Sequence, residues 1–457
     1  MGEAKRTIDH WRGSRVLRRA SIAAFVMLFL VSPLPFARSP GSISKSGLAN
    51  AGSAFVSTST REGRLVVFDD AWSAINQRYY EPGFNGLDWI AQKTTFRSLA
   101  AAANSSEELY SVLRRMIAPL NDPHTRVFTP EEKFDWWRPR FVTTGIAVRE
   151  VDGLPTVVEV EPDSVPQRAG VRAGDQIESV NGDPALALIN ARLTDSLSFV
   201  SASSRYRTFA TLLEGIPGTS VEIRWKRKNG SERSAQFQRH WQQRDLDLRI
   251  HREREDLAVI EIDGFTKQIA ANFTRVVREK LAGVRGLILD LRSNGGGDTE
   301  AMTDVASAFL RVGFGLGQFT GRDGASFTIS TRSRSPLMTE QITQTQLPVI
   351  VLTSERTASA AEIFVAALKA SKRARVIGTE TCGCVLAIRT PHELPDGGLL
   401  DISELDYRTP AGDRLERNGI KPDQTVVIQR HDLYSGRDRA IALAITKLTG
   451  LRNLEEK

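Results

Sequence analysis

A serine between an apolar strand pattern and an apolar helix pattern is the clearest chemical signal in this chain. Ser359 stands in Thr357-Ala358-Ser359-Ala360-Ala361-Glu362, after the apolar stretch 347–353 and before Ile363, Ala366, Ala367 and Ala370 at helical spacing. A hydroxyl at a helix N-terminus is placed for attack on a carbonyl, because free N–H groups and the positive dipole end stabilise the oxyanion that forms. Taken alone, the same pattern describes a capping serine. Residues 286–291 read as a second buried strand, which runs into Ser293-Asn294-Gly295-Gly296-Gly297. Such a glycine loop lets main-chain amides approach a ligand, although by itself it is also an ordinary tight turn.

More motifs follow in order: Gly378-Thr379-Glu380-Thr381, Tyr407-Arg408-Thr409-Pro410-Ala411-Gly412 and Asn418-Gly419-Ile420-Lys421-Pro422-Asp423. Together with the serine and glycine segments they resemble the carboxyl-terminal processing, or tail-specific, peptidases. Upstream, Ala169-Gly170-Val171, Gly174-Asp175-Gln176-Ile177 and Val180-Asn181-Gly182 resemble the signature of a PDZ domain. The similarity spans about residues 64–430. It implies a serine endopeptidase that forms an acyl-enzyme on Ser359, with the oxyanion held by the Ala360 N–H and a glycine amide from Gly296 or Gly297. It also implies that Thr144, Gly145 and Ile146 receive an extended peptide at a sheet edge, its terminal carboxylate meeting loop amides. An ordinary turn into an edge strand is the alternative for that segment.

The chain departs from this family where the base is expected. Lys-dependent members carry a lysine 25 positions after the nucleophile, and here that position is Cys384. A thiol does not inherit the role of a buried lysine, because its deprotonated form is an anion that apolar surroundings disfavour. Similar peptidases of the tricorn branch use a Ser, a His and a Glu. Matched motif by motif, these are Ser359, His124 of Asp122-Pro123-His124-Thr125, and Glu416 just before Asn418-Gly419. An imidazole is neutral and basic near neutrality, and a carboxylate can fix its tautomer. The match is incomplete, since Pro123 replaces the serine that precedes the His in the tricorn branch. Glu416 could equally be a solvated charge beside Arg414 and Arg417. Two rival readings follow from the lost lysine: a non-catalytic homologue that holds peptides through its PDZ domain, and a dyad using Lys369 or Lys372. Neither a metal nor an organic cofactor is implied.

These residues require elements to position them, and the expected class is α+β with several domains. Residues 64–137 read as a helical N-terminal domain, with Phe68, Trp72 and Ile75 on one helix face and a capping-box start at Ser105-Ser106-Glu107-Glu108. Residues 140–240 alternate in short runs, as in a small PDZ-like β domain. From 241 to 435, strands and helices alternate as in an α/β peptidase core: strand 257–262, helix near 268–281, strand 286–291, helix near 298–312, strand 347–353. Residues 436–457 supply a last helix with Ile441, Ala444, Ile445 and Leu448 on one face.

At 457 residues and 41% hydrophobic, the chain can bury more than one core. Arg12, Arg15, Arg18 and Arg19 precede an apolar run over 22–34. That run has signal-peptide length, so residues 1–37 read as a signal peptide or uncleaved signal anchor and 38–60 as a flexible linker. An exported, periplasmic enzyme, free or tethered to the inner membrane, is the expectation. The net charge of +7 arises partly in this segment and accompanies no nucleic-acid motif, so the expected partners are protein or peptide substrates. The oligomeric state is left open. Cys382 and Cys384 flank Gly383; in an oxidising compartment they could pair, although the ring is tight, and they are too few to form a metal site.

Overall fold

The computed structural model describes residues 55–132, 134–135, 138–195, 202–332 and 347–455. The expected signal segment (1–37) and most of the expected linker (38–60) lie outside them. Three helices come first: α1 (Arg61–Arg78), α2 (Trp89–Ala102) and α3 (Ser106–Ile117). Each is started by a side chain that takes an orphan N–H of the first turn: Thr60 accepts from Gly63, Asp88 from Ala91 and Ser105 from Glu108. Phe68 and Ile75 are fully buried with Leu109, Leu113 and Met116, while Trp72 lies parallel to Trp89. A short strand, β1 (Arg126–Phe128), carries the chain out of this bundle.

The next region holds β2 (Arg140–Thr143), β3 (Ile146–Val151), β4 (Leu154–Val160), α4 (Val165–Arg168), β5 (Gln176–Val180), β6 (Asp183–Pro184), α5 (Ala185–Asp195), α6 (Ala202–Ala210), β7 (Ser220–Lys226), β8 (Glu232–Gln238) and β9 (His240–Gln243). β3, β4, β5, β7 and β8 form an antiparallel sheet in that order, which leaves β3 at its edge. Val148, Val157, Ile177, Ile223 and Trp225 fill its core with Phe209 of α6. β2 pairs with β9 and closes this region where it joins the core.

The core begins with β10 (Leu248–Arg254), β11 (Leu257–Ile262), α7 (Lys267–Lys280), β12 (Gly286–Asp290) and α8 (Thr299–Ala306). It continues with β13 (Gly315–Gly321), β14 (Ser326–Ser330), β15 (Val349–Thr353), α9 (Ala360–Ala370) and β16 (Ala374–Gly378). It ends with β17 (His392–Glu393), β18 (Leu399–Asp401), β19 (Leu405–Arg408), β20 (Gln424–Thr425), α10 (Arg430–Ser435) and α11 (Arg439–Glu455). The central sheet has the order β10-β11-β12-β15-β16-β20, parallel except for β10. A parallel sheet is buried on both faces, which explains its continuous apolar strands. Ala258, Ile260, Leu287, Leu289 and Val351 face α7, α8 and α9. Val259, Ile288, Ile350 and Leu352 face Ala440, Ala444 and Leu448 of α11. The helix expected over 298–312 stops at Ala306, where the chain turns so that Phe309 and Leu310 enter the core.

Candidate active site

The sequence places Ser359 after a strand ending at Thr353, and the structure bends the intervening segment back over the glycine loop. Ser354 Oγ donates to the Arg292 carbonyl (2.6 Å), Thr357 Oγ1 to Leu291 (2.8 Å), and the Ala358 N–H to Asn294 (3.1 Å). Ser359 takes φ +56°, a left-handed conformation that costs a serine on the order of 1–3 kcal/mol and persists only where the surroundings impose it. Its hydroxyl makes no capping hydrogen bond to α9, so the side chain is not spent on the helix.

Gly296 meets this turn at close range. A Cβ there would lie 2.6 Å from Ser359 Cβ and 2.9 Å from the Ala358 carbonyl oxygen, so only glycine permits the approach. Two amides expected at the oxyanion position now separate. The Gly296 N–H donates to Asn294 Oδ1 at 2.9 Å and is committed; this corrects its candidacy as the donor. Around Gly297, Phe265 donates to the Gly296 carbonyl and accepts from the Asp298 N–H, both at 2.8 Å. Alternation along an extended backbone then turns the Gly297 N–H away from Phe265. Neither it nor the Ala360 N–H at the first position of α9 has a hydrogen-bond partner among the described residues.

Glu362 is fully buried and joins the serine to the loop carrying Cys384. Its carboxylate accepts from Thr381 Oγ1 (2.5 Å), Gly383 N–H (2.8 Å), Cys384 N–H (2.9 Å) and Ser359 N–H (3.2 Å). Burial nevertheless pushes its pKa up to about 7. The Cys384 carbonyl accepts from the same Ser359 N–H at 2.7 Å. Cys382 and Cys384 are joined by a disulfide, with 5.2 Å between their Cα atoms. The position expected for lysine is therefore held by a buried half-cystine with no basic group.

Glu416 is 3% exposed, and its Oε2 accepts from the Val385 and Leu386 N–H groups at 2.8 and 3.3 Å. Burial raises its pKa to about 8, and the negative charges of Asp122 and Glu362 add to the shift. It is thus not the solvated charge that its arginine neighbours suggested. His124 follows a turn in which Asp122 accepts from the His124 N–H (2.8 Å) and the Thr125 hydroxyl (2.6 Å). Its Nδ1 is buried without a hydrogen bond, 3.9 Å from Asp122 Oδ1. Burial lowers the imidazole pKa to about 4; Arg126 and Arg207 push the same way, against Asp122. The structure makes no hydrogen bond between His124 and Glu416, or from either to Ser359. They are gathered instead around Asp122, whose charge acts on both.

Arg207 comes from α6, and Ser203 Oγ of the same helix lies 3.7 Å from Cys384 Sγ. Sequence reasoning missed Asn294, Glu362, Asp122 and Arg207 as parts of the site. The i+3 spacing from Ser359 was a usable signal for Glu362, whereas no local pattern points to Arg207. At the edge of the small sheet, Gly145 takes φ +81°, its N–H bonds Thr143 Oγ1 at 2.9 Å, and β3 starts at Ile146. Thr144 Oγ1 is buried without a partner. Among the described residues there is no cluster of side chains able to hold a metal, and no helix is long and apolar enough to cross a membrane.

Comparison with known proteins agrees with this architecture. Residues 256–426 match peptidase family S41, and residues 61–118 match the tricorn protease C1 domain. The carboxyl-terminal-processing protease of Synechocystis is 27% identical over 415 residues, which cover 86% of this chain and 88% of that protein. The carboxy-terminal processing protease of Bacillus subtilis is 26% identical, with 80% and 70% covered. The solved photosystem II D1 C-terminal processing protease is 25% identical at a TM-score of 0.52, with 79% and 93% covered. Mature CPAF shares the fold at a TM-score of 0.64 and 14% identity, with 86% and 98% covered. Residues 256–426 are thus a peptidase family S41 domain, and the chain is a serine-type peptidase similar to the carboxyl-terminal-processing proteases.

Proposed function

We propose that this protein is an exported endopeptidase that takes protein C-termini or extended segments on a PDZ domain and cleaves them through an acyl-enzyme on Ser359. The observation that carries the reading is the pairing of a left-handed Ser359 with two uncommitted amides, those of Ala360 and Gly297, across a contact that only Gly296 allows. Attack by Oγ on a carbonyl held there places the developing negative charge between these two donors, and each such donor is worth about 100-fold to 1000-fold in rate. His124 is the general base and receives the hydroxyl proton. Its buried, hydrogen-bond-free Nδ1 and neutral ring leave it able to accept. Glu416 is the orienting acid. Its Oε2 is held by the Val385 and Leu386 amides, which fix the carboxyl in place. The domain limits are those expected from the sequence: helical domain 64–137, PDZ domain 140–240, core 241–435 and C-terminal helix 436–457. The free edge of β3 behind Thr144, Gly145 and Ile146 supports strand addition by a peptide. Export rests on the N-terminal segment alone.

The test is labelling by a fluorophosphonate probe of the purified protein beside Ser359→Ala, His124→Ala and Glu416→Gln. The reading predicts labelling of the parent, none of Ser359→Ala and a slowed reaction for the other two. A folded parent that stays unlabelled supports instead the non-catalytic peptide-binding homologue.

A further inference from the structure

The loop in the lysine's place is closed on itself by a disulfide, and that ring is tied to both sides of the nucleophile's turn. The Cys382 N–H donates to the Thr357 carbonyl (3.0 Å), and the Cys384 carbonyl accepts from the Ser359 N–H (2.7 Å). The amides of Gly383 and Cys384 both bind the Glu362 carboxylate, which returns to the Ser359 N–H. On the far side, the Gly383 carbonyl accepts from the Arg417 N–H at 2.8 Å, which links the ring to the segment carrying Glu416. Backbone atoms of a three-residue ring thus hold the Ser359 N–H and the Thr357 carbonyl, opposite the bonds that the glycine-loop segment makes to the same turn. A covalent closure within that ring removes the conformational freedom that an open Cys-Gly-Cys segment would have to lose each time the site forms.

We propose that the Cys382–Cys384 disulfide is a positioning element that holds Ser359 in its reactive turn, so that thiol–disulfide exchange at this pair governs the nucleophile. The inference rests on the Ser359 reading above for its catalytic consequence. The two sulfurs differ in access: Cys384 is 3% exposed, whereas Cys382 is partly exposed. An external dithiol therefore attacks Cys382 as its thiolate, forming a mixed disulfide while Cys384 leaves as thiolate. The reagent's second thiol then displaces Cys382, so two electrons and two protons reach the pair and the dithiol becomes a cyclic disulfide. The chain has only two cysteines, so any thiol effect on it arises at this pair.

The experiment uses the full chain, oxidised and dithiothreitol-treated, beside Cys382→Ala, with two readouts. The first is hydrogen exchange at the Ser359, Gly383 and Cys384 amides; the second is fluorophosphonate labelling resolved into a maximal rate and a probe affinity. Reduction is expected to speed exchange at these three amides and to lower the maximal labelling rate by about tenfold with affinity unchanged, as expected for a misplaced nucleophile. Cys382→Ala should reproduce both effects and be indifferent to the dithiol, and reoxidation should restore the parent. Equal exchange in both redox states overturns the proposal, as does faster exchange with an unchanged labelling rate. An oxidised protein that never labels, yet shows the exchange difference, sinks the peptidase reading and leaves the bracing of Ser359 standing.

Discussion

Gly296→Ala tests the site most directly, because the structure fixes both the clash and its target. The added Cβ would lie 2.6 Å from Ser359 Cβ and 3.1 Å from the Ala360 nitrogen, with φ at +101°. Restoring an ordinary contact of about 3.5 Å requires a separation of about 0.9 Å between the glycine loop and the serine turn. Loop and turn are locked together through Asn294 and Ala358, so the movement opens the gap between the Gly297 and Ala360 amides. A misplacement of about 1 Å costs about 100-fold in rate, equivalent to roughly 2.7 kcal/mol of transition-state stabilisation. Gly295→Ala is the matched control: nothing lies within 4 Å of its added Cβ, and its φ is not in the left-handed region. Stopped-time labelling with a fluorophosphonate, with melting curves for each variant, gives the comparison. A folded Gly296→Ala protein that labels within about twofold of the parent would refute the placement of the oxyanion site.

Other outcomes follow from the charges around the site. Removing the cation in Arg207→Ala should raise the His124 pKa from its lowered value near 4, and the histidine's NMR titration should move to higher pH; an unmoved titration separates Arg207 from the site. Glu416 and Glu362 have folded pKa values of about 8 and 7, above their ordinary 4.5, so the folded state holds protons that the unfolded state has released. Their contribution to stability must then be lost as pH rises from about 4.5 to 8, most plainly above 6.5, where the lowered His124 no longer offsets it, and Glu416→Gln should flatten the decline in thermal midpoint. Cys384→Lys should give no gain in labelling, since it breaks the ring without supplying the histidine mechanism; a large gain would favour a decayed Ser-Lys dyad.

What the sequence settled by itself was local. Apolar runs at 257–262, 286–291 and 347–353 form three parallel neighbours in the central sheet, because strands buried on both faces must be continuously apolar. Ser105 caps its helix, and Ser359 ends up before α9, for reasons contained within a few residues. The order of motifs was enough to point to the carboxyl-terminal-processing proteases that the chain is similar to. Ending the eighth helix at Ala306 rather than near 312 was already a tertiary decision, since Phe309 and Leu310 are drawn into the core. The site depends on such decisions more heavily. Which glycine amide is free was decided by Asn294 and Phe265, and the burial of Glu416 by the amides of Val385 and Leu386, some thirty residues away in sequence. Arg207 acts on His124 from α6, far along the chain. Main-chain donors and long-range charges leave no spacing pattern in a chain, because their positions are set by packing between segments that do not adjoin in sequence.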